Sequence, residues 1–218
     1  MSDHLTLEAV DVGGAIQEAL DETKGDSRSA FLKKAVFAGG GLAFGGVLFG
    51  GLPSLVTAAP SPSQDAAILN FALTLEYLEA SFYAEAVSKG ALTGEVAKFA
   101  QVVRDHENAH VAFLEKALGS KAGKKPTFDF KGTTADQNMF IATSIALEDV
   151  GVSAYNGQGQ NLTKATLGAA ATIVSVEARH AAWIRDIAAK DPAPFAFDPL
   201  FTKQQTLAKV KATGFIKG

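Results

Sequence analysis

Cysteine is absent from the 218 residues. That excludes a disulfide framework, and it excludes zinc or iron–sulfur clusters held by thiolates. Any metal must therefore be bound by oxygen and imidazole nitrogen. A large charge of either sign is missing too: the formal net charge is −3, too balanced to suggest a nucleic-acid partner. Seven of the acidic residues precede residue 27, and beyond residue 59 the count is 16 basic against 16 acidic. Apolar residues make up 47% of the chain, which marks a folded chain rather than a disordered one. The length suits one domain with a real core plus a leader or a tail.

The informative stretch is Glu107-Asn108-Ala109-His110. A Glu and a His at this spacing lie one turn apart on one helical face, so both can point at one ion. The spacing recurs as Glu177-Ala178-Arg179-His180. Both motifs sit in long, Ala-rich, helix-period runs, where a buried charge is costly without a partner. Two Glu-x-x-His helices plus one Glu from each of two others form the ligand set of a di-iron or di-manganese carboxylate site. Glu76 and Glu148 supply the remaining two, each near the middle of its helical run.

Along the chain, Pro60-Ser61-Pro62-Ser63 reads as a linker and a helix start. A first helix is expected from about residue 64 to 88, with Ile68, Leu69, Ala72, Leu75, Leu78, Phe82 and Val87 on its apolar face. A second starts at Thr93 and runs to about Leu118, with Val96, Phe99, Val103, Phe113 and Leu114 inward. A polar loop follows, Gly119–Gly132, and Thr133 or Thr134 starts a third helix that ends near Asn156–Gly159. The fourth runs from about Thr163 to Lys190. The tail, residues 192–218, has the prolines and aromatics of a packed extension, with one short helix over Gln204–Lys211. The expected fold is thus an all-α four-helix bundle over residues 60–191. The two short connections make antiparallel pairs. The loop of about 14 residues reaches roughly 45 Å, enough to run the length of a helix of about 37 Å and leave the second and third helices parallel.

In such a bundle the mid-helix residues share one level, so Glu76, Glu107, His110, Glu148, Glu177 and His180 can meet at the centre. Tyr83, two turns after Glu76 on the same face, is either a hydrogen-bond donor or redox partner of the site or a plain core tyrosine. Glu79 competes with Glu76 from one turn along, and otherwise sits behind the ligands or on the surface. His106, one turn before His110, replaces or supports that ligand, or is a helix-surface residue, the commoner situation.

Residues 1–59 read as a leader: an acidic start, then Ser27-Arg28-Ser29-Ala30-Phe31-Leu32-Lys33-Lys34, then a charge-free run over 36–59 ending in small residues. This is the layout of an export signal, or of an anchor that meets the membrane through residues 36–59 if uncleaved. The basic segment resembles the twin-arginine pattern, with Ser29 where the second Arg would stand.

Over about residues 64–190 the chain resembles the ferritin-like di-iron carboxylate proteins. The six ligand residues match that family's positions, and Leu69-Asn70, Glu76 and Tyr83 are similar to the first helix of bacterioferritin. The Leu69–Val87 wording, leader and tail look more like bacterial exported ferritin-like proteins related to plant desiccation-associated proteins. The resemblance implies a ferritin-like fold with a long crossover and a stress association. With the ligand chemistry it sets the expectation of two iron ions, alternatively manganese, reacting with O2 or hydrogen peroxide in an extracytoplasmic protein, periplasmic or tethered to the inner membrane. A metal-stabilised bundle without turnover and a manganese catalase-like enzyme are the competing readings. A homo-oligomer is compatible with either. A storage cage is specified by nothing in the sequence.

Overall fold

The computed structural model describes residues 60–217, and the leader expected over residues 1–59 lies outside them. Four long helices dominate: α1 (Pro62–Lys89), α2 (Gly94–Leu118), α3 (Gln137–Gly159) and α4 (Lys164–Ile187). A single 3-10 turn (Gly119–Lys121), a short α5 (Lys203–Thr213) and two two-residue strands, β1 (Thr127–Phe128) and β2 (Ile216–Lys217), complete the order among the described residues. Among the described residues no helix is long and apolar enough to cross a membrane.

Local chemistry sets the helix ends. Ser61 accepts from the Gln64 amide and is followed by Pro62 in the first turn, where proline's missing N–H costs nothing. Gly90 closes α1 at φ 64°, a left-handed turn that glycine adopts without strain. Asp136, three residues past the expected threonine, caps α3 by accepting from Met139. Thr133 and Thr134 serve the turn before it instead: Thr133 Oγ1 donates to Phe130 O and Thr134 Oγ1 to Glu85 Oε1.

Hydrogen bonds between ends give the topology. The start of α4 meets the start of α1, where the Thr163 amide donates to Asp65 Oδ1 at 2.9 Å. The end of α2 returns to the same end of the bundle, where the Gly123 amide donates to Asn70 Oδ1 at 2.7 Å. At the other end Lys89 Nζ donates to Thr134 Oγ1 at 2.8 Å, and the Thr93 amide to Gln137 Oε1 at 2.9 Å. So α1 and α4 run one way, α2 and α3 the other. Residues 119–136 carry the chain the full length between α2 and α3, leaving those helices parallel as the sequence predicts.

The chain's end clamps that crossover. β2 pairs antiparallel with β1, Phe128 opposite Ile216, and the Asp129 amide donates to Phe215 O at 2.8 Å. Upstream, the Phe201 amide donates to Ser153 O on α3 at 2.9 Å. Gly157 permits this close passage, since a Cβ there would fall 1.9 Å from Phe201 O. The tail before Phe201 departs from the expected packed extension, whereas α5 buries Thr206 and Val210. Residues 191–200 are exposed, Phe197 at 91%.

Toward the Lys89 end the core is aromatic. Phe82 stacks on Phe140 with centroids 5.2 Å apart, Tyr83 meets both edge-on, and Phe99 meets Tyr83 and Phe140 edge-on. Toward the other end Leu73, Leu114, Leu118 and Ile173 fill the interior. Burial of such side chains, at about 1.5–3 kcal/mol each, is the main force closing the bundle. Phe113, expected inward, is 43% exposed. The buried line of α2 runs through Val103, Glu107, His110 and Leu114, and Phe113 lies about 100° off it.

Candidate metal centre

Between these apolar ends lies a polar layer. Glu76 on α1, Glu107 and His110 on α2, Glu148 on α3, and Glu177 and His180 on α4 are all buried, the four carboxylates at 1% exposure or less. Ligand atoms of Glu76, Glu107, His110 and Glu177 lie within 4.8 Å of one another, and so do those of Glu107, Glu148 and His180. Glu107 belongs to both groups. His110 Nδ1 approaches Glu177 Oε1 at 3.0 Å, Glu76 Oε2 at 3.3 Å and Glu107 Oε2 at 3.5 Å. His180 Nδ1 approaches Glu107 Oε1 at 3.3 Å and Glu148 Oε2 at 3.4 Å. The structure thus brings together all six residues singled out in the sequence.

Tyr83 Oη donates to Glu148 Oε1. It is fully buried, and burial together with the Glu148 charge pushes its hydroxyl well above the usual range, so it stays a donor. Sequence reasoning missed its counterpart. Tyr155 Oη donates to Glu76 Oε1 at 2.5 Å, and burial and Glu76 raise it in the same way. The signal was present, because Tyr155 follows Glu148 by the same seven residues that separate Tyr83 from Glu76.

These two bonds sort the carboxylates. Glu76 and Glu148 each spend one oxygen on a tyrosine, leaving Oε2 without a partner, whereas both oxygens of Glu107 and of Glu177 are unpartnered. Of nine buried, unpartnered side-chain atoms among the described residues, eight belong to the six residues, His110 Nδ1 and His180 Nδ1 included; the ninth is Ser144 Oγ.

Crowding also shows in the acidities. Burial, then Glu177 and Glu76, push Glu107 well up, and burial with Glu76 pushes Glu177 up to about 8. Burial acts on Glu76 as well, but the adjacent His110 outweighs it and holds Glu76 below the ordinary carboxylate range. Both imidazoles are raised: burial opposes their charge, and the surrounding carboxylates overcome it.

Two neighbours had open roles. Glu79 is buried, 3% exposed, so it is not a surface residue, and it falls outside both ligand groups. It lies against α3, where a Cβ on Gly151 would meet Glu79 Oε1 and Glu177 Oε2, each at 3.4 Å. Burial and then Glu148 and Glu177 push its carboxyl well up. His106 is exposed yet hydrogen-bonded, its Nδ1 2.9 Å from His180 Nε2. It supports the second imidazole rather than replacing the first.

Residues 64–190 match the model of the ferritin-like domain. The chain belongs to the ferritin-like family. No curated protein matches it. The ferritin-like match covers all four long helices, from α1 to the end of α4.

Proposed function

We propose that this ferritin-like protein holds two metal ions, iron by preference and manganese as the alternative, and acts as an oxidoreductase toward O2 or hydrogen peroxide. The observation that carries this reading is the set of eight unpartnered ligand atoms converging from four helices. A buried carboxylate without a partner is costly, and several side by side are more so. Divalent cations remove that cost, and carboxylate with imidazole suits iron and manganese better than calcium. Glu107, which belongs to both groups, would serve both ions, and Glu177 would add its free oxygens to the Glu76–His110 group. Glu76 with His110, and Glu148 with His180, would each complete one position. Iron bound there as two Fe(II) would supply two electrons to the oxidant, ending as two Fe(III). The tyrosines keep Glu76 and Glu148 turned inward, and the apolar ends exclude water.

Metal analysis of protein purified without added metal, then anaerobic Fe(II) loading and mixing with oxygen or peroxide, tests the reading. The expected result is two ions per chain and Fe(II) oxidation faster than in free solution. Bound metal with no acceleration, and no peroxide turnover by manganese-loaded protein, would leave a bundle that uses metal for stability only.

The composition of residues 1–59 supports a further proposal, that the domain is exported; a stress-protective role rests instead on the resemblance to desiccation-associated proteins. N-terminal sequencing of the mature protein would reveal cleavage near Ala58 or Ala59; an intact Met1 in a soluble cytoplasmic fraction would contradict export.

A further inference from the structure

The two imidazoles of the site are not held alike. His180 is fixed at both nitrogens: Nδ1 faces Glu107 and Glu148 inside, and Nε2 meets His106 Nδ1 outside at 2.9 Å. The two rings also stack, centroids 5.1 Å apart and planes 21° from parallel. His110 presents Nδ1 to three carboxylates, but among the described residues nothing hydrogen-bonds its other nitrogen. The asymmetry is written in the sequence. His106 directly precedes Glu107, and the residue directly preceding Glu177 is Val176, which has no polar group to offer.

We infer that His106 is a positioning residue that makes the Glu148–His180 position the tighter of two unequal metal sites. The inference rests on the two-ion reading above. An imidazole that gives Nδ1 to a cation carries its proton on Nε2, and that N–H needs an acceptor. His106 Nδ1 is that acceptor, while its own proton sits on Nε2, on the exposed side of α2. The bond selects the ligating tautomer of His180 and fixes its ring before any ion arrives. Outer partners of this kind are worth about 10–100-fold in metal affinity. His110 has no such partner, so its position binds more weakly and fills second.

The test is an anaerobic titration of wild type, His106→Ala and His106→Gln with Co(II), followed by calorimetry and the visible cobalt spectrum. Wild type should bind two ions with separate affinities. His106→Ala should still bind two, with the tighter weakened by about 10–100-fold, its spectrum altered and the weaker unchanged. His106→Gln, whose amide oxygen can accept the Nε2 proton, should recover much of the loss. Because His106 is exposed, melting of the metal-free variants should match wild type, which separates positioning from a folding defect. Equal weakening of both ions, no weakening of either, or His106→Gln as weak as His106→Ala would overturn the inference. Wild type that binds fewer than two ions would instead overturn the two-ion reading itself.

Discussion

The hairpin α1–α2 and the hairpin α3–α4 are near copies in their chemistry. Each supplies a lone Glu, a Tyr seven residues later, and a Glu-x-x-His on its second helix. Neither completes itself. Tyr83 of the first holds Glu148 of the second, and Tyr155 of the second holds Glu76 of the first. The differences lie at two matched positions. Three residues after the lone Glu stands Glu79 in one hairpin and Gly151 in the other, and just before the motif stands His106 in one and Val176 in the other. Both extra groups are on the first hairpin, and both reach the second: Glu79 fills the space that Gly151 leaves, and His106 bonds His180. The shared residues build the two ligand groups, and the unshared ones make the halves different.

The strongest way to break the pairing is to remove what the halves share. Glu107→Ala with Glu177→Ala deletes both carboxylates whose oxygens are all unpartnered. Metal content should fall from two ions to none, by elemental analysis, and the metal-dependent part of the stability should vanish, about 4 kcal/mol where free metal is 1,000-fold above its dissociation constant. Equal metal content in the double variant and wild type would sink the metal reading.

How much of this was legible beforehand follows from range. Helices α1 to α4 and the inward carboxylates could be read because helical periodicity and mid-helix depth are local properties. Phe113 misled because it is apolar yet off the buried line of α2, which hydrophobicity alone does not reveal. Aromatic and proline content likewise suggested packing at residues 192–200, but with no helical or strand period there was no face to bury. Tyr155 is local in the same sense, since it follows Glu148 by the seven residues that separate Tyr83 from Glu76. His106 could be placed only by a partner 74 residues away, and the clamp of β2 on β1 depends equally on contacts that no local pattern encodes.

The two hairpins also differ in how their helices are capped. Helix α1 is capped by its own Ser61 and α3 by its own Asp136, but Thr163 makes no side-chain cap for α4. The first hairpin provides it: Asp65 on α1 accepts from the Thr163 amide and from the hydroxyls of Thr163 and Thr166. Asp65→Ala should cost about 1–3 kcal/mol, because buried donors lose their acceptor. Burial pushes the Asp65 carboxyl up, yet the bonds from Thr163 and Thr166 outweigh it and hold the carboxyl below the ordinary range. A carboxyl depressed in the folded state adds stability above its unfolded value, about 3.9, and loses it as pH falls through the folded value. The gap in melting temperature between wild type and Asp65→Asn should therefore be full at neutral pH and shrink at pH values below the unfolded one. A gap that is constant across that range would remove Asp65 from the account.

The smallest expected effect is the most discriminating, because it sets Tyr83 against Tyr155. Each loses one hydrogen bond to a lone Glu when changed to Phe, a cost of about 0.5–1.5 kcal/mol to the metal-free protein. Both variants should keep two ions, since the Oε2 atoms of Glu76 and Glu148 and the carboxylates of Glu107 and Glu177 are untouched. Loss of an ion in either would show that the tyrosines do more than steer. The surroundings differ: Tyr83 is fully buried among Phe82, Phe99 and Phe140, whereas Tyr155 is half-buried. Stopped-flow oxidation of the Fe(II)-loaded variants then separates two roles for Tyr83. Equal slowing in Tyr83→Phe and Tyr155→Phe means that each acts by holding its carboxylate. Slowing confined to Tyr83→Phe is the expected outcome, and it identifies the dry, aromatic-walled hydroxyl beside Glu148 as the group that passes an electron or a proton to the site.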